Sequence, residues 1–259
     1  MTIAVCLKQV PNTTELRLDP RTNTLIRDGV AAVLNPLDEF PLEAALRLRA
    51  AVGGRVTVLT MGPPQAEAVL RKAVAMGADD AVLVSDRAFA GADTWATSLT
   101  LARALERSGP YDLILCGKQA IDGDTAQVGP GIAAHLGSAQ ITGVTALRCG
   151  ADGLVAERLL DGGTALLRVP RPAVLTILKE ANEPRLPSLA GRLRSLRLSC
   201  RRLGLADLGL AASAVGLEGS PTRVVRIAVP AVSRRQTRLE GEPATVAAQL
   251  AAVLRRSST

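Results

Sequence analysis

Residues 112–137 read DLILCGKQAIDGDTAQVGPGIAAHLG, and the order of residue types in this stretch sets the architecture. Asp112 to Cys116 is a short apolar run of strand length. A loop of glycine, aspartate and threonine follows, then a helix from about Gln127 to Leu136 with Gly137 as its stop signal. Working outward, the same alternation recurs upstream. Strands are expected at Ile3 to Leu7, Arg55 to Thr60 and Ala81 to Val84, and helices at Leu37 to Leu48, Pro64 to Met76 and Thr94 to Leu105. Parallel strands need helical crossovers, so a fourfold alternation predicts a parallel sheet with helices on both faces.

Elsewhere the pattern changes. Leu16 to Leu18 and Thr24 to Ile26 around Asp19 to Asn23 read as a hairpin. After Gly137 come Ala146 to Arg148, Leu154 to Leu159, Ala165 to Val169 and Val174 to Leu178, separated by turn signals and expected as antiparallel additions. From Asn182 prolines lead into a short amphipathic stretch, then Gly- and Ala-rich sequence that is expected to order against another surface. The expected fold is α/β: an open parallel sheet with flanking helices, antiparallel additions and an extended C-terminal arm. Its expected division is an α/β domain at 1–183 and the arm at 184–259.

Composition narrows the function. The chain has 259 residues, 47% hydrophobic and 21% charged, enough for a full core. One Trp, one Tyr and two Phe leave few rings on which to stack bases, which argues against a nucleic-acid partner. No apolar run is long enough to insert in a membrane, and the N-terminus lacks the pattern of a secretory signal, so a cytoplasmic location is expected. Four Cys without a C-x-x-C pattern and the lone His135 give zinc clusters and imidazole-based triads little to build on. Cys6 and Cys116 read as small buried hydrophobes, with no disulfide expected.

The net charge of +7 is unevenly placed. Residues 1–183 carry 18 Lys and Arg against 20 Asp and Glu, whereas 184–259 carry 13 Arg against 4 acidic residues. Arg192, Arg194, Arg197, Arg201 and Arg202 alternate with leucines, which suits a solvated face or a protein-binding arm, with nucleic acid or a membrane surface as the remaining reading.

The loop at 117–130 lies where open α/β sheets bind ligands. Gly117 and Gly123 allow close backbone approach, Thr125 offers a hydroxyl, and the start of the next helix offers N–H groups suited to phosphate. Asp122 and Asp124 could accept from ribose, hold the loop or cap the helix. A nucleotide site and a purely structural loop both fit. A second loop, SDRAFAGADTWATS at 85–98, brings Gly91, Asp93, Thr94, Thr97 and Ser98 to another strand end, either as caps or as ligand contacts. Asn35 to Asp38 and Met61 to Pro64 complete one ring around a crevice. P-loop and G-x-G-x-x-G patterns are missing.

In order along the chain, KQVP at 8–11, LIRDGV at 25–30, NPLDEF at 35–40, MGPPQAE at 61–67, AMGADDAVLVSD at 75–86 and CGKQAIDGDTAQVGP at 116–130 resemble the β subunit of electron transfer flavoproteins. DGG at 161–163, NEPRLPSL at 182–189 and VGLEGSPTRVV at 215–225 continue the match. The resemblance implies the adenine-nucleotide-binding α/β fold of that family and a heterodimer with an α subunit that holds most of the FAD. It further implies electron transfer from flavin dehydrogenases to a quinone oxidoreductase. AMP, or a second FAD, would occupy the crevice against Cys6, Asn35, Pro36, Leu37, Asp38, Met61 and the 122–133 segment, including Asp122, Gly123, Asp124, Thr125, Ala126, Gln127, Val128 and Gly129. Asp93, Thr94 and Thr97 would join them. AFAGADT at 88–94 and DGDTAQVGP at 122–130 resemble the electron-bifurcating, nitrogen-fixation-type members, which tilts the expectation toward FAD.

The same resemblance makes 182–193 a recognition loop, with Arg185 and above all Leu189 meeting the partner; packing of Leu189 into its own subunit is the other reading. Two departures stand out: Leu186 replaces a frequent Tyr, and Arg158-Leu159 replaces an Arg-Glu pair that helps position the flavin domain in some members. Three functions are open at this point: a carrier subunit, an NADH-oxidising bifurcating complex, and a stand-alone nucleotide-binding module.

Overall fold

The computed structural model describes residues 1–12, 17–18, 25–26, 32–150, 153–225 and 238–257. β1 (Thr2–Leu7) is followed by β2 (Gln9–Pro11), β3 (Arg17–Leu18), β4 (Leu25–Ile26) and β5 (Ala32–Leu34). β3 pairs antiparallel with β4, as expected of the hairpin, whose turn at Asp19 to Asn23 lies outside the described residues; β2 pairs antiparallel with β5.

The crossover units then run α1 (Glu39–Val52), β6 (Arg55–Met61), α2 (Glu67–Met76), β7 (Asp80–Val84), α3 (Thr94–Ser108), β8 (Leu113–Gly117) and α4 (Val128–Leu136). α1 ends at Gly53, whose φ of 74° only glycine adopts cheaply, and Gly77 stops α2 in the same way. The remaining strands are β9 (Ala139–Gly150), β10 (Gly153–Leu160), β11 (Gly163–Arg168), β12 (Ala173–Ile177) and β13 (Arg201–Leu203), with helices α5 (Leu189–Leu196) and α6 (Leu205–Leu208) around β13 and α7 (Pro243–Ser257) near the C-terminus.

Nine strands form one sheet in the order β11-β10-β9-β12-β8-β1-β6-β7-β13. β1 is flanked by β6 and β8, both parallel to it, so the chain steps away from β1 in one direction and returns to build in the other. That reversal puts a crevice at the carboxyl ends of β1 and β8. Alternation along β1 divides the core. Ile3, Val5 and Leu7 face the layer containing Leu42, Leu46 and Leu70 from α1 and α2, while Ala4 and Cys6 face Leu101, Leu105 and Ile132 from α3 and α4. Close packing of the second layer depends on glycine: a Cβ on Gly129 would lie 2.6 Å from Thr176 Cγ2, and one on Gly131 would lie 2.5 Å from Ser98 Oγ. His135 sets its ring edge-on to Trp95, with centroids 4.7 Å apart, and so ties α4 to α3.

Two expectations need correction. β12 is a central strand that runs parallel to both β8 and β9, so only β9, β10 and β11 pair antiparallel among the late strands. β9 is also far longer than Ala146 to Arg148. Its early residues are mostly not apolar, and Gly143 at φ 69° interrupts the pleat where its N–H meets Thr176 Oγ1, so period-two patterning is lost.

Contacts divide the chain into two units, Met1–Val225 and Arg226–Thr259. In the first unit β13 extends the sheet beside β7, and α5 lies on α2. Gly191 lets α5 approach so closely that a Cβ there would sit 2.0 Å from the Ala75 carbonyl oxygen. Arg194 Nη2 donates to the Val74 and Ala78 carbonyls at 2.8 Å, a cation at the C-terminus of α2, and Arg202 pairs with Glu67 at 2.9 Å. Part of the arginine excess is thus internal glue. In the second unit α7 carries exposed Leu250, Val253 and Leu254.

Candidate functional site

Asn35 is fully buried, and its carboxamide stitches two loops together. Nδ2 donates to the Gln119 carbonyl at 3.0 Å, while Oδ1 accepts from the Ile121 N–H at 3.3 Å. Its own N–H donates to the Lys8 carbonyl at 2.9 Å. The chain leaving β1, the turn at 36–38 and the loop after β8 are thereby one unit, because a buried amide must satisfy donors and acceptors together.

Asp38 sits beneath that unit. Its Oδ2 accepts from the Lys8 N–H at 2.7 Å, and Gly117 comes so close that a Cβ there would lie 2.4 Å from Oδ1. Burial raises the carboxyl to about 7, against the hydrogen bonds from the Lys8 and Gly117 N–H groups and Asn35 and the charge of Lys8, all of which favour the carboxylate. Lys8 Nζ reaches Asp122 at 2.7 and 2.9 Å across the loop. Gln119 donates to Asp124, which adopts φ 53°; Ala126 follows at φ 55°. Two non-glycine residues at positive φ are uncommon, and they turn the loop into the start of α4.

The two helices that open on the crevice differ at their first turns. Asp93 caps α3, accepting from the Trp95 and Ala96 N–H groups at 3.0 and 3.1 Å. Its other oxygen accepts from the Thr222 N–H and hydroxyl at 2.9 and 2.7 Å. Burial works to raise Asp93, but the Thr222 and backbone donors outweigh it and hold the carboxyl below its ordinary value. α4 receives no side-chain cap among the described residues, since Gln127 at its N-cap instead accepts from the Thr94 hydroxyl at 2.9 Å. Unpaired N–H groups at a helix start favour an anion.

Most of the expected site residues converge. Cys6 ends the buried part of β1 on the α3/α4 side, Met61 ends β6, and Asn35, Pro36, Leu37 and Asp38 form the turn next to Gly117. Asp122, Gly123, Asp124 and Thr125 are exposed along the loop, with Ala126, Gln127, Val128 and Gly129 leading into α4. Thr94 joins them through Gln127; Asp93 is occupied as a cap, and Thr97 is half-buried on α3. Sequence reasoning missed Lys8 as the pivot, although KQVP directly follows the strand. It also missed Thr222, for which no local signal exists.

The two residues expected to meet a partner separate. Arg185 donates from Nε at 2.7 Å and from Nη2 at 3.1 Å to the buried Glu43, whose carboxyl burial would raise but Arg185 and Arg47 hold below its ordinary value. It anchors the 182–188 segment to α1, helped by Asn182 Nδ2 on the Phe40 carbonyl at 3.0 Å. Leu189 begins α5 at 76% exposure, in line with exposed Leu193 and Leu196 one and two turns on.

An open, mostly parallel α/β sheet with loops gathered at its switch point is the class that the fold defines. The electron transfer flavoprotein domain family matches residues 22–198, and the chain belongs to that family. It is 49% identical to the electron transfer flavoprotein subunit beta of Thermoanaerobacterium thermosaccharolyticum, over 90% of each chain. It is 48% identical to Protein FixA of Bradyrhizobium diazoefficiens, over 87% of this chain and 81% of that one. It is 47% identical to the caffeyl-CoA reductase-Etf complex subunit CarD of Acetobacterium woodii, over 87% of each. Among the described residues no helix is long and apolar enough to cross a membrane.

Proposed function

We infer that this chain is the β-type half of a heterodimeric electron transfer flavoprotein and holds an adenine nucleotide, AMP or the adenosine part of a second FAD, in the crevice at β1 and β8. The observation that carries the reading is the uncapped start of α4 beside the Asn35-locked loop. Phosphate oxygens would meet the N–H groups of that first turn, with Gly123, which has open space where a Cβ would stand, leaving room and Asp122 to Thr125 lining the outer edge. A flavin, when bound, supplies the electron-transfer chemistry. The chain's own part is to orient it and keep water from its buried side. Flavin dehydrogenases would be the donors and a quinone-linked oxidoreductase the acceptor. The exposed Leu189, held on the segment that Arg185 anchors, is the natural contact for such partners, since one apolar anchor suits complexes that exchange quickly.

A second reading is an NADH-oxidising, bifurcating complex, favoured by the similarity to a subunit named as part of a reductase-Etf complex. Co-expression with an α-type subunit and quantification of released cofactors separates the two. One FAD and one AMP per heterodimer is the expectation for a carrier, and two FAD with no AMP for the bifurcating complex. A heterodimer whose β-type half carries no adenine nucleotide would refute the crevice assignment.

A further inference from the structure

Cys6 on β1 and Cys116 on β8 are register partners in adjacent parallel strands. Register partners project from the same face, and both side chains belong to the layer between the sheet and α3/α4, where their neighbours along the strands are Ala4 and Ile114. Neighbouring strands lie roughly 4.8 Å apart, inside the roughly 4.4–6.8 Å Cα separation that a disulfide spans. Both are free thiols, and both residues are buried, at 8% and 6% exposure.

Their place in the fold gives the pair a consequence. A Cβ on Gly129 would fall 3.6 Å from Cys116 Cβ and 3.8 Å from its Sγ, so the thiol lies directly under the first turn of α4. Asp38 is close enough to act on the same sulfur. Cys149 and Cys200 lie on other elements: Cys149 is exposed near the end of β9, and Cys200 is half-buried with its Sγ 3.6 Å from the Ala81 carbonyl oxygen.

We propose that Cys6 and Cys116 are a modification site: a reversible disulfide that forms across the floor of the crevice and weakens nucleotide binding there. Its formation is independent of the proposed function, whereas its effect on binding rests on that reading. The oxidant class is a peroxide. One thiolate attacks the O–O bond and becomes a sulfenic acid while water leaves; the second sulfur then displaces the hydroxyl as a second water. Two S–H bonds and one O–O bond give way to one S–S bond and two waters, and the peroxide takes up the two electrons. Thiol–disulfide exchange with a small dithiol reverses the change. The hydrogen bond to Cys6 and burial hold Cys116 well above the ordinary thiol value, so it serves as the resolving partner rather than the first to react. Pulling the two sulfurs together draws the floor away from Gly129, where the first turn of α4 must present its N–H groups.

The test uses the full chain purified with its co-expressed α-type subunit. After hydrogen peroxide, alkylation and trypsin, peptide mass analysis should find residues 1–8 joined to residues 108–118, and dithiothreitol should separate them. Calorimetry should give an AMP affinity at least about fivefold weaker for the oxidised protein, a loss of about 1 kcal/mol, restored by dithiothreitol; Cys6→Ala, compared with its own affinity before peroxide, should show no such change. Separate alkylation of both cysteines after peroxide overturns the disulfide. A linked pair with unchanged AMP affinity overturns its effect. If AMP binds neither oxidised nor reduced protein, the nucleotide reading fails, and the peptide masses alone decide on the disulfide.

Discussion

Lys8 Nζ lies 2.7 Å from the Asp122 carboxylate, joining the chain just after the first strand to a loop 114 residues further on. The lysine is about half exposed, so the pair adds little to global stability while it fixes where the loop stands. Lys8→Met should therefore shift the melting temperature only slightly and weaken nucleotide binding by about fivefold, the effect of losing roughly 1 kcal/mol of loop positioning. Calorimetry in low and high salt checks it: wild-type affinity should fall with salt and that of Lys8→Met should hardly respond. Equal salt dependence would assign the pair no role in binding.

Asp38 makes stability depend on pH. Its folded-state value of about 7 lies above the ordinary carboxyl value of 3.8, so the folded state holds its proton more tightly than the unfolded chain. The associated stability is complete below pH 4 and is lost as pH rises through 7, by about 4 kcal/mol in total. Asp38→Asn should be less sensitive to pH across that window. Urea unfolding at pH 4.5, 6 and 7.5 measures the two slopes, and parallel slopes would show that Asp38 titrates normally.

Gly131 and Gly129 are packing residues. Alanine at Gly131 meets Ser98, and at Gly129 it meets Thr176, so each should cost about 1–3 kcal/mol in chemical denaturation. Gly123 has open space around the corresponding position, and Gly123→Ala should be near neutral. Equal losses at all three positions would show that contact with Ser98 and Thr176 does not set the cost.

Arg185 and Leu189 should behave as opposites. Removing the Arg185 guanidinium leaves the buried Glu43 with Arg47 as its remaining ion-pair partner, so Arg185→Ala should lower stability by about 2–4 kcal/mol and expose the 182–188 segment to proteases. Leu189→Ala should leave stability within about 0.5 kcal/mol and instead slow electron transfer from a partner dehydrogenase. A large stability loss on Leu189→Ala would make it a packing residue rather than a docking one.

Local patterning carried most of the architecture. The alternation from Thr2 to Leu136 was legible because each strand is a short apolar run and each helix ends at a glycine or gains a polar start, signals that need no tertiary context. Where patterning failed, packing had replaced it. β9 runs through Gly143, whose positive φ breaks its alternation, and β12 reads like any apolar run, whether its neighbours are parallel or antiparallel. The basic stretch from Arg192 to Arg202 looks like a solvated arm, yet Arg194 spends its charge on carbonyls at the end of α2 and Arg202 on a carboxylate at its start.

The sequence by itself determined that an α/β sheet brings the loops after β1, β6, β7 and β8 to one edge, because strand polarity follows from strand-helix alternation. It also determined the family, since the motifs keep their order over most of the chain. Only the tertiary structure decided which groups in those loops remain available. Asp93 is consumed as a cap braced by Thr222, Arg185 is consumed by Glu43, and α4 is left uncapped beside a loop that Asn35 and Lys8 hold in place. These assignments depend on partners as many as 142 residues away in the chain, and side-chain satisfaction across that distance has no local signature.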